Sequence, residues 1–167
     1  MLAGLLLVVA LVGSPSQALL PGYIEIVGKD TPMDIPDWLA WKNAFQVLSR
    51  SADDPESVVY SILDLRDDQR KAVSDVAKVQ NARWDACIAD QQKLWERFKE
   101  VERDRTMKLH QQSEIRCRTD VLRAKDALMY ALGSNEGSRL KRFVEEVRSG
   151  ITVQVSKLGL EHFRRPR

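Results

Sequence analysis

The sequence predicts an all-α protein built on a long antiparallel helical hairpin, with shorter amphipathic helices packed at its open end. Three observations predict it. Residues 56–132 contain neither Gly nor Pro, the residues that most often interrupt a helix. Apolar side chains recur along this stretch at helical spacing, and the only two cysteines lie on either side of a polar interruption near its middle.

The apolar spacing forms two seams. The first alternates steps of four and three residues, as along one face of a helix. Its members are Gln80, Trp84, Cys87, Gln91, Leu94, Phe98 and Val101. The second consists of Cys117, Val121, Ala124, Leu128 and Ala131. Between them the spacing loses its phase over the polar residues 100–106, so we expect the chain to turn back within residues 101–105.

The cysteines set a register for this hairpin. Cys87 and Cys117 are equally far from residue 102, so in a hairpin that turns there they face each other at one level. A disulfide needs that geometry, with Cα atoms about 5.5 Å apart. The same register places Leu94 opposite His110. Two unrelated buried thiols, or a straight helix with intermolecular disulfides, are the alternatives.

The amino terminus is predicted to be a signal peptide, residues 1–18. An apolar run, Leu2–Val12, precedes Ser16 and Ala18, which match the small-x-small pattern of signal peptidase cleavage. The run is shorter than the ~20 residues that a membrane-spanning helix needs, although it lacks the usual Lys or Arg before it. We therefore expect a periplasmic or secreted protein with no membrane span after cleavage. A buried helix of the mature fold is the alternative.

The mature chain divides into three further parts. Residues 19–34 form an extended leader, residues 35–150 the helical domain, and residues 151–167 an extended segment with a basic tail. Both extended parts contain β-type composition, at residues 23–27 and 151–155, and these two segments are candidates for a minor strand pairing.

The first helix carries a stripe of aromatic side chains. Trp38, Trp41 and Phe45 fall at positions i, i+3 and i+7 after Pro36, on one helix face. The stripe is either part of the core or a surface that binds a partner, and the sequence leaves both open.

Capping signals mark the other helix boundaries. Residues 53–55, Asp-Asp-Pro, open a second helix, for which we predict an apolar face of Val58, Val59, Ile62 and Leu63. Asp67 opens the long helix, and Gly133 is a predicted helix end.

Two resemblances bear on function. Residues 65–69, Leu-Arg-Asp-Asp-Gln, resemble the Leu-Thr-x-x-Gln signature of the periplasmic CpxP/Spy-like proteins, with Arg66 in place of the Thr. A second copy would fall at residues 132–136, where Gly133 and Glu136 replace its defining residues. The resemblance implies an exported helical hairpin that acts as an ATP-independent chaperone or as a stress or metal sensor.

Three further segments are similar to an uncharacterised family of exported bacterial helical proteins. They are Ile35–Phe45, Ala124–Gly133 and Leu140–Phe143, and the likeness covers residues 35–145. It implies a fold and a compartment, and it implies no catalytic residues.

No catalytic, metal or cofactor site is predicted. His110 and His162 are the only histidines, too far apart in sequence to indicate a convergent metal site, and the common nucleotide-binding and hydrolase motifs are missing. A net charge of +2 gives no preference for nucleic acid. From Leu132 onward the chain contains eight Lys and Arg but only four Asp and Glu. This basic stretch serves solubility or contacts anionic lipid or an acidic partner.

These observations leave two hypotheses. The first is an exported binding module that holds unfolded client polypeptides or an envelope protein on an amphipathic face. The second is a metal or stress sensor of similar architecture, with a purely structural secreted protein as a further alternative. We predict no enzymatic activity, and the sequence does not specify an oligomeric state.

Overall fold

The computed structural model describes residues 9–11, 23–31, 34–54, 57–98 and 103–156. Most of the predicted signal peptide and the predicted basic tail lie outside these residues. The described elements, in chain order, are β1 (Val9–Leu11), β2 (Tyr23–Val27), α1 (Asp37–Ala52), α2 (Val59–Leu63), α3 (Asp67–Phe98), α4 (Arg103–Ser149) and β3 (Thr152–Ser156). The predicted all-α class is confirmed, since helices dominate and the strands form one small sheet.

Helices α3 and α4 form the predicted hairpin. Helix α3 ends at Phe98 and α4 begins at Arg103, while residues 99–102, in the predicted turn, lie outside the described residues. A disulfide joins Cys87 of α3 to Cys117 of α4, with their Cα atoms 6.4 Å apart. The predicted cysteine pair is therefore brought together within one chain.

The hairpin is antiparallel. Leu94 lies seven residues after Cys87 on α3. It lines the same groove as Leu109 of α4, which lies before Cys117. Residue numbers therefore increase along α3 in the direction in which they decrease along α4. The disulfide confirms the predicted register at Cys87 and Cys117, and the predicted pairing of Leu94 with His110 stays a prediction.

Helix α1 closes the open end of this hairpin. Its apolar residues recur every three or four positions and are buried against α3 and α4; they are Trp38, Leu39, Trp41, Ala44, Phe45 and Leu48. Two contacts locate the crossing. The rings of Trp38 and Trp84 stack with centroids 5.8 Å apart, and the Asn81 side-chain amide donates a hydrogen bond to the Phe45 carbonyl (3.2 Å).

Helix α4 consists of two helical arms that meet at Gly133. This residue has φ 77° and ψ −170°, which glycine adopts more readily than residues with a Cβ. Lys125 in the first arm and Arg148 in the second both bind the carboxylate of Asp37. A straight helix would hold those two residues about 35 Å apart, so the second arm folds back. The predicted helix end at Gly133 is confirmed.

The strands form a three-stranded antiparallel sheet in the order β1-β3-β2. Strand β2 pairs with β3 from Tyr23↔Ser156 to Val27↔Thr152, which confirms the predicted pairing with a one-residue shift along β3. Strand β1, Val9–Leu11, pairs with the other side of β3. The sequence analysis assigned these three residues to the signal peptide and predicted no strand there.

The predicted apolar face of the second helix is wrong in half of its members. Val58 and Ile62 are 63% and 66% exposed, whereas Tyr60 and Leu63 are buried. Two local features set this orientation. The Tyr60 hydroxyl donates a hydrogen bond to the Leu48 carbonyl (3.0 Å), which turns that side of α2 inward. The left-handed Asp64, φ 48°, then ends the helix after five residues.

Candidate functional site

A groove runs between α3 and α4 on the tip side of the disulfide, where the tip is the end of the hairpin at which α3 leads into α4. It has a volume of about 520 Å³, and its walls come from both helices: Asp90, Lys93 and Leu94 of α3, and Leu109, Gln112, Ser113 and Arg116 of α4. Leu94 and Leu109 are half-buried. The groove combines an apolar lining with polar rims, the composition of surfaces that bind peptides or small apolar groups.

The rims of the groove carry exposed charges of both signs. Lys93 and Asp90 form an ion pair across 3.7 Å, and both side chains are exposed. Arg116 on the opposite wall is exposed as well. An exposed ion pair contributes little to stability, so these side chains are available to pair with charges on a bound molecule.

The disulfide lies next to one end of the groove, against Ser113 of the groove lining. The side-chain amide of Gln91 donates a hydrogen bond to Sγ of Cys117 (3.6 Å). Ser113, which lines the groove, is buried next to the two sulfurs. The crosslink therefore holds the two groove walls at a fixed separation at this end, which limits the loss of conformational entropy when a ligand binds.

A stack of cations and aromatic rings lies at the level of the disulfide, where α1 crosses the hairpin. The Arg118 guanidinium is 4.5 Å from the centroid of the Trp38 ring. The Trp84 ring stacks on the Trp38 ring, and the Lys42 Nζ is 5.8 Å from the Trp84 centroid. Cation–aromatic contacts of this kind are worth about 0.5–2 kcal/mol each. The stack ties α1 to both long helices.

Burial affects the two cations of the stack. It lowers the pKa of Lys42, although the Asp85 carboxylate acts in the opposite direction. It also lowers the pKa of Arg118, against the opposing effect of Glu114, with which Arg118 forms an ion pair. An arginine remains charged in any case, so this site keeps a buried positive charge that Glu114 compensates.

The predicted aromatic stripe lies in the core. Trp38, Trp41 and Phe45 are 5%, 3% and 0% exposed, and they pack between α1, α3 and α4 as the core alternative required. They are not on a surface in this fold, so we do not include them in the candidate site.

A second groove, of about 410 Å³, lies between α2 and the second arm of α4. Exposed Ile62 forms one wall, Phe143 and Arg142 lie opposite, and Leu63, Asn135, Ser138, Arg139 and Glu146 complete the lining. The sequence analysis missed this groove because it assigned Ile62 to a buried face. Arg139 stabilises the groove by donating hydrogen bonds to the carbonyl (2.8 Å) and the carboxylate (2.6 Å) of Asp64.

Asp37 joins α1 to both arms of α4. Its carboxylate accepts hydrogen bonds from Lys125 (2.9 Å) and from Arg148, and Arg148 also donates to the Ile35 carbonyl (2.9 Å). Burial acts to raise the pKa of Asp37, but the hydrogen bonds from the two cations outweigh it and hold that pKa below its usual value. We call these three charged residues the Asp37 clamp.

The segment that resembles the Leu-Thr-x-x-Gln signature has a local structural role. The backbone N–H of Arg66 donates to Oε1 of Gln69 (3.1 Å), which is one half of a capping box at the start of α3. Arg66 has no hydroxyl for the other half, and its guanidinium pairs with Asp68 instead (3.3 Å). Leu65 is buried. Helix initiation and core packing thus account for these residue types at this spacing.

Two classes of site are not found among the described residues. No group of three or more His, Cys, Asp or Glu side chains there lies close enough together to hold a metal ion. In the same part of the chain, no helix combines the length and the apolar character that crossing a membrane requires. His110 is half-buried on α4.

Comparisons with known proteins do not place this chain in a family. Neither the models of protein families, nor the curated proteins, nor the solved structures contain a match to it.

Proposed function

We propose that this protein is an exported helical binding module that holds extended segments of unfolded client polypeptides in the groove between α3 and α4. The observation that carries the proposal is the composition of that groove, in which Leu94 and Leu109 lie between charged rims. An unfolded polypeptide presents apolar side chains next to polar backbone and charges, and both can be satisfied here.

Two features support the exported compartment. The apolar run Leu2–Val12 followed by Ser16 and Ala18 is typical of a signal peptide. The disulfide between Cys87 and Cys117 is a bond that persists in oxidising compartments and is rare in the cytosol. The resemblance of residues 65–69 to the CpxP/Spy-like proteins agrees with a chaperone in the periplasm.

The test is suppression of aggregation. Purified protein is added to a chemically denatured model client at ratios around stoichiometric, and light scattering is followed after dilution. We expect Leu94→Gln to weaken suppression about fivefold, because losing one apolar contact costs ~1 kcal/mol. Val79→Gln is the matched control, since Val79 is an exposed aliphatic residue of the same helix outside the groove.

Thermal unfolding of both variants checks that the helices remain intact. Equal suppression of aggregation by both variants would mean that clients do not bind in this groove. If the unaltered protein has no effect on scattering at any ratio or salt concentration, the chaperone function itself is wrong.

A further inference from the structure

The sheet has one strand whose presence depends on how the chain is processed. Strand β3 is central, with β1 on one side and β2 on the other. Strand β1, Val9–Leu11, lies inside the predicted signal peptide. The predicted cleavage after Ala18 would remove it and leave β3 as an edge strand, with backbone N–H and C=O groups facing the vacated side.

We propose that this vacated edge of β3 receives an extended, uncharged, apolar segment of a client polypeptide, added antiparallel in the place that Val9–Leu11 occupies. The proposal rests on the proposed function and names a second, chemically distinct contact for the same class of client. In this mode of recognition the main-chain hydrogen bonds supply affinity, and the side chains of alternate residues supply selectivity.

Strand β3 is firmly held without β1. Ile151, Val153 and Val155 are buried in the main core, and five residue pairs join β3 to β2. At the end of this pairing, the N–H of Gly28 donates to the Ile151 carbonyl (2.7 Å). A strand fixed by its core face and by one neighbour is a rigid template for another strand.

The edge lacks the features that usually protect sheet edges. Natural proteins place charges, prolines or bulges on open edges to prevent strand addition. Residues 152–156, Thr-Val-Gln-Val-Ser, contain neither a charge nor a proline. The other outer strand of the two-stranded remainder, β2, carries the exposed Glu25 at its centre. The two edges therefore differ, and β3 is the one suited to accept a strand.

The strand that occupies the edge in the intact chain shows what fits there. It pairs antiparallel, as Val9↔Gln154, Ala10↔Val153 and Leu11↔Thr152. All three residues are aliphatic and uncharged. Apolar segments of unfolded proteins have the same chemistry.

The experiment uses a fluorescent peptide with the sequence of residues 6–13, Leu-Leu-Val-Val-Ala-Leu-Val-Gly, and a lysine tail for solubility. Binding is measured by anisotropy to the protein recovered after export, to the intact chain, and to the intact chain with Ala10→Pro, in which proline disfavours the β1 pairing. We expect the exported and Ala10→Pro proteins to bind. The intact chain should bind at least about tenfold more weakly, because its own strand competes at a high effective concentration.

Two N-methylated peptides are the matched controls. One is methylated at Val9 and Leu11 and the other at Val8 and Ala10, so only one set removes the N–H groups that face β3. We expect one of them to lose binding and the other to retain it. Equal binding of both would show that no strand is added, and an exported protein that keeps residues 1–18 would show that the edge stays covered.

The outcomes separate this inference from the proposed function. If the exported protein suppresses aggregation and Leu94→Gln weakens it, but the peptide does not bind, the edge proposal alone is wrong. If the exported protein forms a dimer that excludes the peptide, the occupant is a second copy and not a client. If the protein does not suppress client aggregation but the peptide binds with the expected methylation pattern, the proposed groove function is wrong and strand addition at the β3 edge is supported.

Discussion

The two sides of the disulfide use the same pair of helices in different ways. Toward the open end, Val73 and Ala77 of α3 are fully buried in the core that α3 forms with α1 and α4. Toward the turn between α3 and α4, Leu94 and Leu109 are only half-buried and line a groove. The difference lies in the neighbouring helices. Two helices alone leave their seams partly open to water, whereas α1 covers the seams at the open end. The buried core and the groove proposed to bind clients therefore lie on opposite sides of one crosslink.

The strongest test of this comparison removes one apolar side chain from each side. Trp41→Ala should lower the free energy of unfolding by about 3–5 kcal/mol, the usual effect of truncating a fully buried aromatic. Leu94→Ala should cost about 1 kcal/mol, since its surface is already partly in water. Urea unfolding of both variants measures this, and similar losses would mean that the tip contributes to the core.

The next test removes the crosslink between the two sides. Replacing both cysteines with serine should destabilise the protein by about 3–4 kcal/mol, from the entropy of the 30-residue loop that the disulfide closes. Hydrogen exchange should show the largest loss of protection between residues 87 and 117. Uniform loss along α3 and α4 would argue that the tip and the open end unfold as one unit.

A smaller effect is expected at the turn between the arms of α4. Gly133→Ala should destabilise the protein by about 1–3 kcal/mol, because a residue with a Cβ is strongly disfavoured at φ 77° and ψ −170°. Apart from the adjoining backbone, no atom of the residues that the structure describes lies within 4 Å of the new Cβ, so the expected cost is conformational. Gly150→Ala, whose Cβ would make an ordinary contact, is the control, and the two variants should differ in thermal unfolding.

The smallest effect concerns the Asp37 clamp and depends on pH. The pKa of Asp37 is lower in the folded protein than its ordinary value of 3.8, so the clamp contributes stability above that pH and loses it as the pH falls through the folded pKa. Asp37→Asn should cost no more than about 1 kcal/mol at pH 7, because the carboxylate is half-exposed.

The measurement for the clamp is the difference in unfolding free energy between the unaltered protein and Asp37→Asn from pH 2 to pH 7. The difference should shrink toward acid. A constant difference over that range would mean that the charge of Asp37 is not what stabilises the junction.

The sequence predicted the hairpin because its determinants are local or symmetric. The seams of α3 and α4, the equidistant cysteines and Gly133 specify helices, register and the helix end, and none of these depends on a third element. It did not predict which part of the hairpin would be a groove. Trp84 and Leu94 are members of the same four-three seam, so the spacing does not distinguish them. Their surroundings differ because Trp38 of α1 crosses over Trp84.

Two other features escaped prediction for related reasons. Ile62 has an apolar neighbour at helical spacing, Val58, but a hydrogen bond from Tyr60 to the distant Leu48 carbonyl decides which side of α2 faces inward. Strand β1 lies in a run whose length and composition are those of a signal peptide, and its pairing with β3 depends on residues far along the chain. In each case a long-range contact determines the structure, and local spacing does not contain it.

The Asp37 clamp also bears on the order in which the protein folds. Arg148 and Asp37 are separated by 111 residues in sequence, whereas Cys87 and Cys117 are separated by 30. Contacts between distant residues form more slowly than local ones because more chain must be ordered first. The hairpin is thus able to form early, while α1 can be secured only after nearly all of the chain is present. During synthesis from the amino terminus, Trp38 and Trp41 of α1 would stay uncovered until the helices that bury them have emerged.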